Sequence, residues 1–257
     1  MAFFEEVDPP ISGIPRLLKS VDIFGSGSRP FDSVFLRGQG DYSWGLLPTI
    51  SRLPTHAGLR VEGYDPDREL YLLNRFRRYT WEFLGRGLDD RELLLLARHH
   101  GIPVRLIDWT SNPLVALYFA CSDRNQSRED GAIFAFLRSQ HEHSTFYDFY
   151  NDKRSPLALP GVKMIFGPYV SSRIPAQSGN FTVHDFPGRD LESYDPKDYK
   201  PEDFDLQRIV KWRVPRERKN TLLHELEQLR INERTLFPDL DGIARGIVQS
   251  EIFRTGK

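Results

Sequence analysis

The sequence has almost no cysteine: Cys121 stands alone among 257 residues. No internal disulfide can form, and a reducing compartment fits that usage. Cys121 closes an apolar stretch, which reads as a core position rather than a nucleophile. Nor does the chain have a surplus of either charge, with 35 Lys and Arg against 36 Asp and Glu and a formal charge of −1. A broad electrostatic grip on a nucleic-acid backbone is thereby disfavoured, although a local basic patch stays open. No apolar run reaches the length of a membrane span, and the opening Met1-Ala2-Phe3-Phe4-Glu5-Glu6 lacks a signal peptide's basic start. The expectation is a soluble cytoplasmic protein with no membrane partner. Repeats and low-complexity tracts are missing as well. His141 and His143 lie two apart without a third ligand nearby, so no metal is expected. What the chain does have is 39% apolar and 12% aromatic residues, enough to build a core and to exclude a disordered protein.

The most informative stretch runs from Ala97 to Ala120. Asp89 and Glu92 have capping-box spacing ahead of the apolar run Leu93 to Ala97. Gly101 suits the left-handed position after that helix, and Pro103 prevents its continuation. Val104 to Ile107 reads as a buried strand ending at Asp108. Asn112 before Pro113 has the form of an N-cap with proline at the first helical position, opening a buried helix over Leu114 to Ala120. The expected turn is therefore Asp108-Trp109-Thr110-Ser111, at a strand end beside a helix N-terminus, where α/β folds bind ligands and anions. His99 and His100 fall in the last turn of the preceding helix. Adjacent helical residues point about 100° apart, so one of them can face a ligand and the other packs or meets solvent.

Upstream, a short helix is expected around Ile14 to Ile23, then a turn-rich connection at Gly25-Ser26-Gly27-Ser28. Phe31 to Leu36 reads as a strand that delivers Arg37-Gly38-Gln39-Gly40. The glycines let backbone approach a ligand, and Arg37 offers a planar fork suited to phosphate or carboxylate. Gln39, Tyr42 and Arg52 follow as candidate ligand contacts. Asp65-Pro66 starts a helix to about Leu84, with Leu72, Phe76, Tyr79 and Phe83 as its core stripe. Downstream, strands are expected over Ala132 to Leu137, Lys163 to Phe166 and Leu206 to Val214, with a bulged or turning strand through Arg173 to His184. Residues 187–204, rich in proline and acids, read as a surface loop. A helix over Asn220 to Leu229 puts Leu222, Leu223, Leu226 and Leu229 inward, leaving Glu225 and Glu227 as solvent-facing charge. A last amphipathic helix carries Leu240, Ile243, Ile247 and Ile252.

Taken together these motifs resemble the FRG family, bacterial and phage-associated domains with a Phe-Arg-Gly signature. That signature is Phe35-Leu36-Arg37-Gly38-Gln39 here, with a leucine between aromatic and arginine. His99 to Thr110 is similar to the family's HYGLPTRLLDWT block, and Ala116 to Ala120, Ala176 to Phe181 and Leu236 to Gly242 match its continuation. The resemblance divides the chain into an N-terminal extension, 1–30, and a domain, 31–257. The family in turn remotely resembles the ADP-ribosyltransferase fold, which implies an α+β architecture: a mixed split β-sheet core with flanking helices. It further implies NAD as substrate, with Arg37 binding its phosphate or ribose. Thr110 and Ser111 would stand at a Ser/Thr motif, and Gln177 where a catalytic glutamate is usual. Cleaving the nicotinamide bond builds positive charge on the ribose, so Asp108 is the candidate acid, while Tyr42, Trp109, Phe181 or His99 would contact the ligand. The implied function is an ADP-ribosyltransferase-like or NAD-glycohydrolase effector, a toxin or antiphage protein, with a protein or nucleic-acid acceptor. The alternatives are a nucleotide- or phage-product-sensing module, or a nucleic-acid-binding domain using Arg37, Arg52, Arg98 and Arg105.

Overall fold

Strict alternation along Ala132 to Phe136 divides that strand's side chains between two different cores, and the rest of the fold is laid out around it. The computed structural model describes residues 3–26, 34–52, 65–123, 125, 128–138, 147–185, 188–200 and 203–255. Eight strands make one sheet: β1 (Phe4–Val7), β2 (Val34–Gln39), β3 (Leu106–Thr110), β4 (Gly131–Arg138), β5 (Tyr147–Asp148), β6 (Val162–Phe166), β7 (Gly179–His184) and β8 (Leu206–Val214). Their order is β1-β8-β4-β2-β3-β7-β6-β5. β1 runs parallel to β8 and β5 parallel to β6, and every other neighbour is antiparallel. The architecture is α+β with a mixed open sheet. The first 30 residues, set apart in the sequence as an extension, supply its edge strand β1 and a helix, α1 (Ile14–Gly25), whose Leu17, Val21 and Phe24 enter the core.

One face of the sheet carries two cores side by side. The first lies under α1, α4 (Pro113–Cys121) and α6 (Arg216–Gln228). The second lies under α2 (Pro66–Leu84) and α3 (Asp90–His99). α4 is apolar all round and buried, which suits a helix held between sheet and other helices. The Asn112 side chain accepts from Leu114 N–H as its cap. At α3, the Asp89 carboxylate accepts from the N–H groups of Arg91 and Glu92, and Gly101 takes a φ of +79° beyond the helix end. The opposite face carries a third core of Phe35, Ile107, Trp109, Phe134 and Phe136.

Several expectations are corrected. β3 runs on to Thr110, so Asp108, Trp109 and Thr110 are strand residues and not a turn. The reason is β7, which pairs along all of β3, with Asn180 opposite Trp109 and Gly179 opposite Thr110. Arg173–Ala176 is a short helix, α5, before β7, and Ser178 between them takes a φ of +49°. In α2, Leu73 and Glu69 face inward, whereas Tyr79 and Phe83 are 63% and 84% exposed. Glu69 turns that face inward because it is buried against Arg105, its Oε1 accepting from Arg105 N–H at 2.8 Å and its Oε2 from Arg105 Nε at 2.9 Å. Within 187–204, Leu191, Tyr194 and Phe204 are buried on the third core, so sparse apolar anchors override the polar composition. α6 starts at Arg216 and leaves Leu229 exposed. Two further helices end the chain, α7 (Glu233–Leu236) and α8 (Leu240–Thr255), and Leu240, Ile243 and Ile247 of α8 face solvent. Residues 27–33 and the His141/His143 pair lie outside the described residues. Among the described residues no helix is long and apolar enough to cross a membrane.

Candidate functional site

Among the described residues, β2 and β3 meet at one register pair, Leu36 opposite Thr110. Beyond that pair the strands part, and Arg37 occupies the gap. Its Nη1 donates to the Asp108 carbonyl at 2.9 Å and to Asp108 Oδ2 at 3.4 Å. Arg98, in the last turn of α3, donates Nε to Asp108 Oδ1 at 2.9 Å and Nη2 to Oδ2, a two-pronged grip. Arg98 Nη1 is held by Thr49 Oγ1 at 3.3 Å. Burial pushes the Asp108 carboxyl upward, but Arg98 and then Arg37 outweigh it and keep the group below its ordinary value. Burial also lowers the Arg37 guanidinium; Asp108 opposes that shift and Arg98 adds to it. Arg52 is lowered to about 10 by burial and by repulsion from Arg37 and Arg98. Two guanidiniums, Arg37 and Arg98, therefore share one carboxylate, a local surplus of positive charge in a nearly neutral chain, while Arg52 close by is bonded to Gln39 and Gly45 with Glu192 and Asp190 opposing its shift.

Arg37, Arg98 and Asp108 open into a cavity of about 360 Å³. The Asp108 side chain keeps 39% of its exposure there. Arg37 Nη2 has no acceptor among the described residues. Other walls come from His99, Phe119, Arg173, Ile174, Gln177, Phe181 and Phe237. Of the two histidines, His99 lines the cavity while His100 is exposed beside the Phe76 ring.

The remaining candidates divide. Trp109 borders the cavity, but its indole is buried on the other face, edge-on to Phe136 at 4.5 Å, so it offers no stacking surface. Thr110 Oγ1 donates to the Gln177 carbonyl at 2.6 Å and accepts from Asn112 N–H at 3.0 Å, which makes it a buried brace. Gln177 Nε2 donates to the Leu236 carbonyl at 3.0 Å. Ser111, Gln39, Tyr42 and Arg52 do not line the cavity. Gln39 Oε1 instead accepts from Arg52 Nη2 at 3.0 Å, pinning the loop after β2. Tyr42 lies under Arg213 and Lys211, beside a separate depression. Arg105 is buried with Glu69 and cannot serve a nucleic-acid surface. No group of three His, Cys, Asp or Glu suited to a metal is found among the described residues.

Sequence reasoning undervalued Arg98 and missed Arg173, Phe119 and Phe237. A helix-turn-strand return through Gly101 and Pro103 was the available signal that Arg98 faces Asp108. Nothing local links Arg173 or Phe237 to Arg37.

Behind the site, Trp109 Nε1 donates to Thr182 Oγ1 at 2.9 Å, and that hydroxyl lies 2.9 Å from His184 Nε2. The hydroxyl accepts from the indole and shares a hydrogen bond with Nε2, while the buried Nδ1 has no partner among the described residues. Burial, with Arg105 adding repulsion, lowers His184 to about 3. The unfolded chain therefore takes the proton first, and stability is whole above 6.5 and falls as pH drops toward 3. Unfolding in denaturant at pH 7 and pH 5 should differ by about 2 kcal/mol from this group. His184→Gln should remove that part of the slope; equal slopes in parent and variant would refute the assignment.

Residues 32–129 match the family model for the FRG domain. That stretch of the chain is an FRG domain match. The matched stretch supplies Arg37, Arg98, His99, Asp108 and Phe119, while the walls at 171–181 and Phe237 lie beyond it. No curated protein and no solved structure matches the chain.

Proposed function

We propose that the FRG domain binds a nucleotide in this cavity through its phosphates, and that NAD is the nucleotide, as the likeness to ADP-ribosyltransferases implies. The observation that carries this reading is Arg37 at the parting of β2 and β3. One amino group is fixed on Asp108, the other has no acceptor among the described residues, and Arg98 adds positive charge on the same cavity. A sheet that parts at this point also supports the split-sheet likeness. Buried, pre-oriented guanidinium suits phosphate because two of its donors match two oxygens without further ordering.

Cleavage of the nicotinamide bond is a second reading, favoured by Asp108, which is ionised and partly open to the cavity. Binding without cleavage takes precedence, because both Asp108 oxygens are engaged by Arg98 and little of their charge is left to meet a developing cation. Calorimetric titration with NAD, paired with chromatography of released nicotinamide, separates the two. Saturable binding without release supports a sensing or binding domain, and release supports the transferase or glycohydrolase. No heat with NAD or AMP at low salt would sink the nucleotide reading.

A further inference from the structure

Arg173 stands on another wall of the same cavity, presented by α5. Its Nε donates to Asp239 Oδ2 at 2.6 Å, and its guanidinium lies 5.3 Å from the centre of the Phe237 ring. Neither Nη1 nor Nη2 has an acceptor among the described residues. The arrangement at Arg37 is thus repeated, with an aspartate holding part of the guanidinium while other donors stay open. Phe237 keeps the guanidinium flat and shields one face, which leaves the Nη edge as the available one. Asp239 and Arg173 are each about one-third exposed, so their pair is screened and its main effect is orientation. His99 lies close enough to feel Arg173, and burial first, then His100 and Arg173, favour its neutral form. It can hydrogen-bond in the cavity without adding charge.

Resting on the nucleotide reading above, we infer that the cavity is a two-point anion site that takes a nucleotide bearing two phosphate groups, one on Arg37 and the other on Arg173. A single phosphate would leave one of the two open guanidiniums unused. The phosphates can be consecutive, as in a diphosphate, or carried on two positions of the sugar, and both share this chemistry.

The test is calorimetric titration of the full chain, at one ionic strength, with AMP, ADP and adenosine 3′,5′-bisphosphate. The parent should bind one of the two-phosphate nucleotides at least tenfold more tightly than AMP, and the tighter one tells whether the phosphates sit adjacent or apart. Arg173→Met should reduce that ratio to within twofold while AMP affinity moves less than threefold. Arg173→Lys keeps the charge without the fork and should give an intermediate ratio, which preserves the test if the methionine variant is unstable. A ratio that survives in both variants, or equal binding of all three nucleotides by the parent, overturns the second point and leaves the nucleotide reading standing. Equal loss of AMP and two-phosphate binding in Arg173→Met also overturns it. No binding of any of the three by the parent overturns the two-point site, and with no heat from NAD either it overturns the nucleotide reading as well.

Discussion

Arg37→Lys should weaken nucleotide binding by tenfold or more while the protein stays folded. Lysine keeps the charge and can still meet Asp108, so the local electrostatic balance persists. It has one nitrogen, however, and cannot hold the Asp108 carbonyl and a phosphate on separate amino groups as arginine can. Losing a hydrogen bond to a charged group costs about 1.5–3 kcal/mol, which sets the tenfold floor. Titration with AMP and NAD, beside a melting curve for the variant, measures it. Unchanged affinity in a folded variant would remove Arg37 from the site.

Gly38→Ala should damage the fold more than any other single-methyl addition near the cavity. An added Cβ at Gly38 would lie 1.9 Å from the Ala116 carbonyl oxygen and 2.6 Å from Ala120 N. Both are backbone atoms of α4, so no side chain can swing away and the helix itself must move. Overpacking of this kind costs 1–3 kcal/mol or more, here about 3 or above. For a chain of this size that is a fall in Tm of roughly 6–12 °C, or loss of soluble protein. Gly87→Ala is the matched control, because its new methyl would meet only the exposed Trp81 ring, at 3.2 Å. It should stay within about 0.5 kcal/mol. Equal melting temperatures for the two variants would mean that β2 and α4 are not packed backbone to backbone. The glycine of the family signature is thus explained by the helix it touches, and the arginine beside it by the cavity.

Local chemistry was legible wherever it decided the structure. The Asn112-Pro113 start of α4, the Asp89 cap of α3 and the strands β4 and β8 were all readable from short windows. Partners distant in sequence were not. β3 was read two residues short because Asn180 and Gly179, which extend it, lie some seventy residues on. That error placed Trp109 in a turn, whereas strand parity sends its indole to the opposite face from Asp108. Tyr79 and Phe83 fit a helical stripe by spacing, but burial of Glu69 with Arg105 rotated α2 away from it. Gln177, set by the resemblance where a catalytic glutamate is usual, lines the cavity, but its amide is committed to Leu236. A glutamate there would set a carboxylate against a carbonyl oxygen, so the exchange that sequence comparison invites would disturb the α7 end before it tested any chemistry.

With a single rung joining β2 to β3, the sheet has a seam through its middle rather than continuous cloth. Besides the aromatic core on the opposite face, what fastens the two panels at that seam is α4 lying over β2 and the clasp of Arg37, Asp108 and Arg98. Such a clasp is electrostatic where a ladder would be peptide backbone. Salt and acid therefore act on the junction itself, and any anion held by Arg37 becomes part of the fastening.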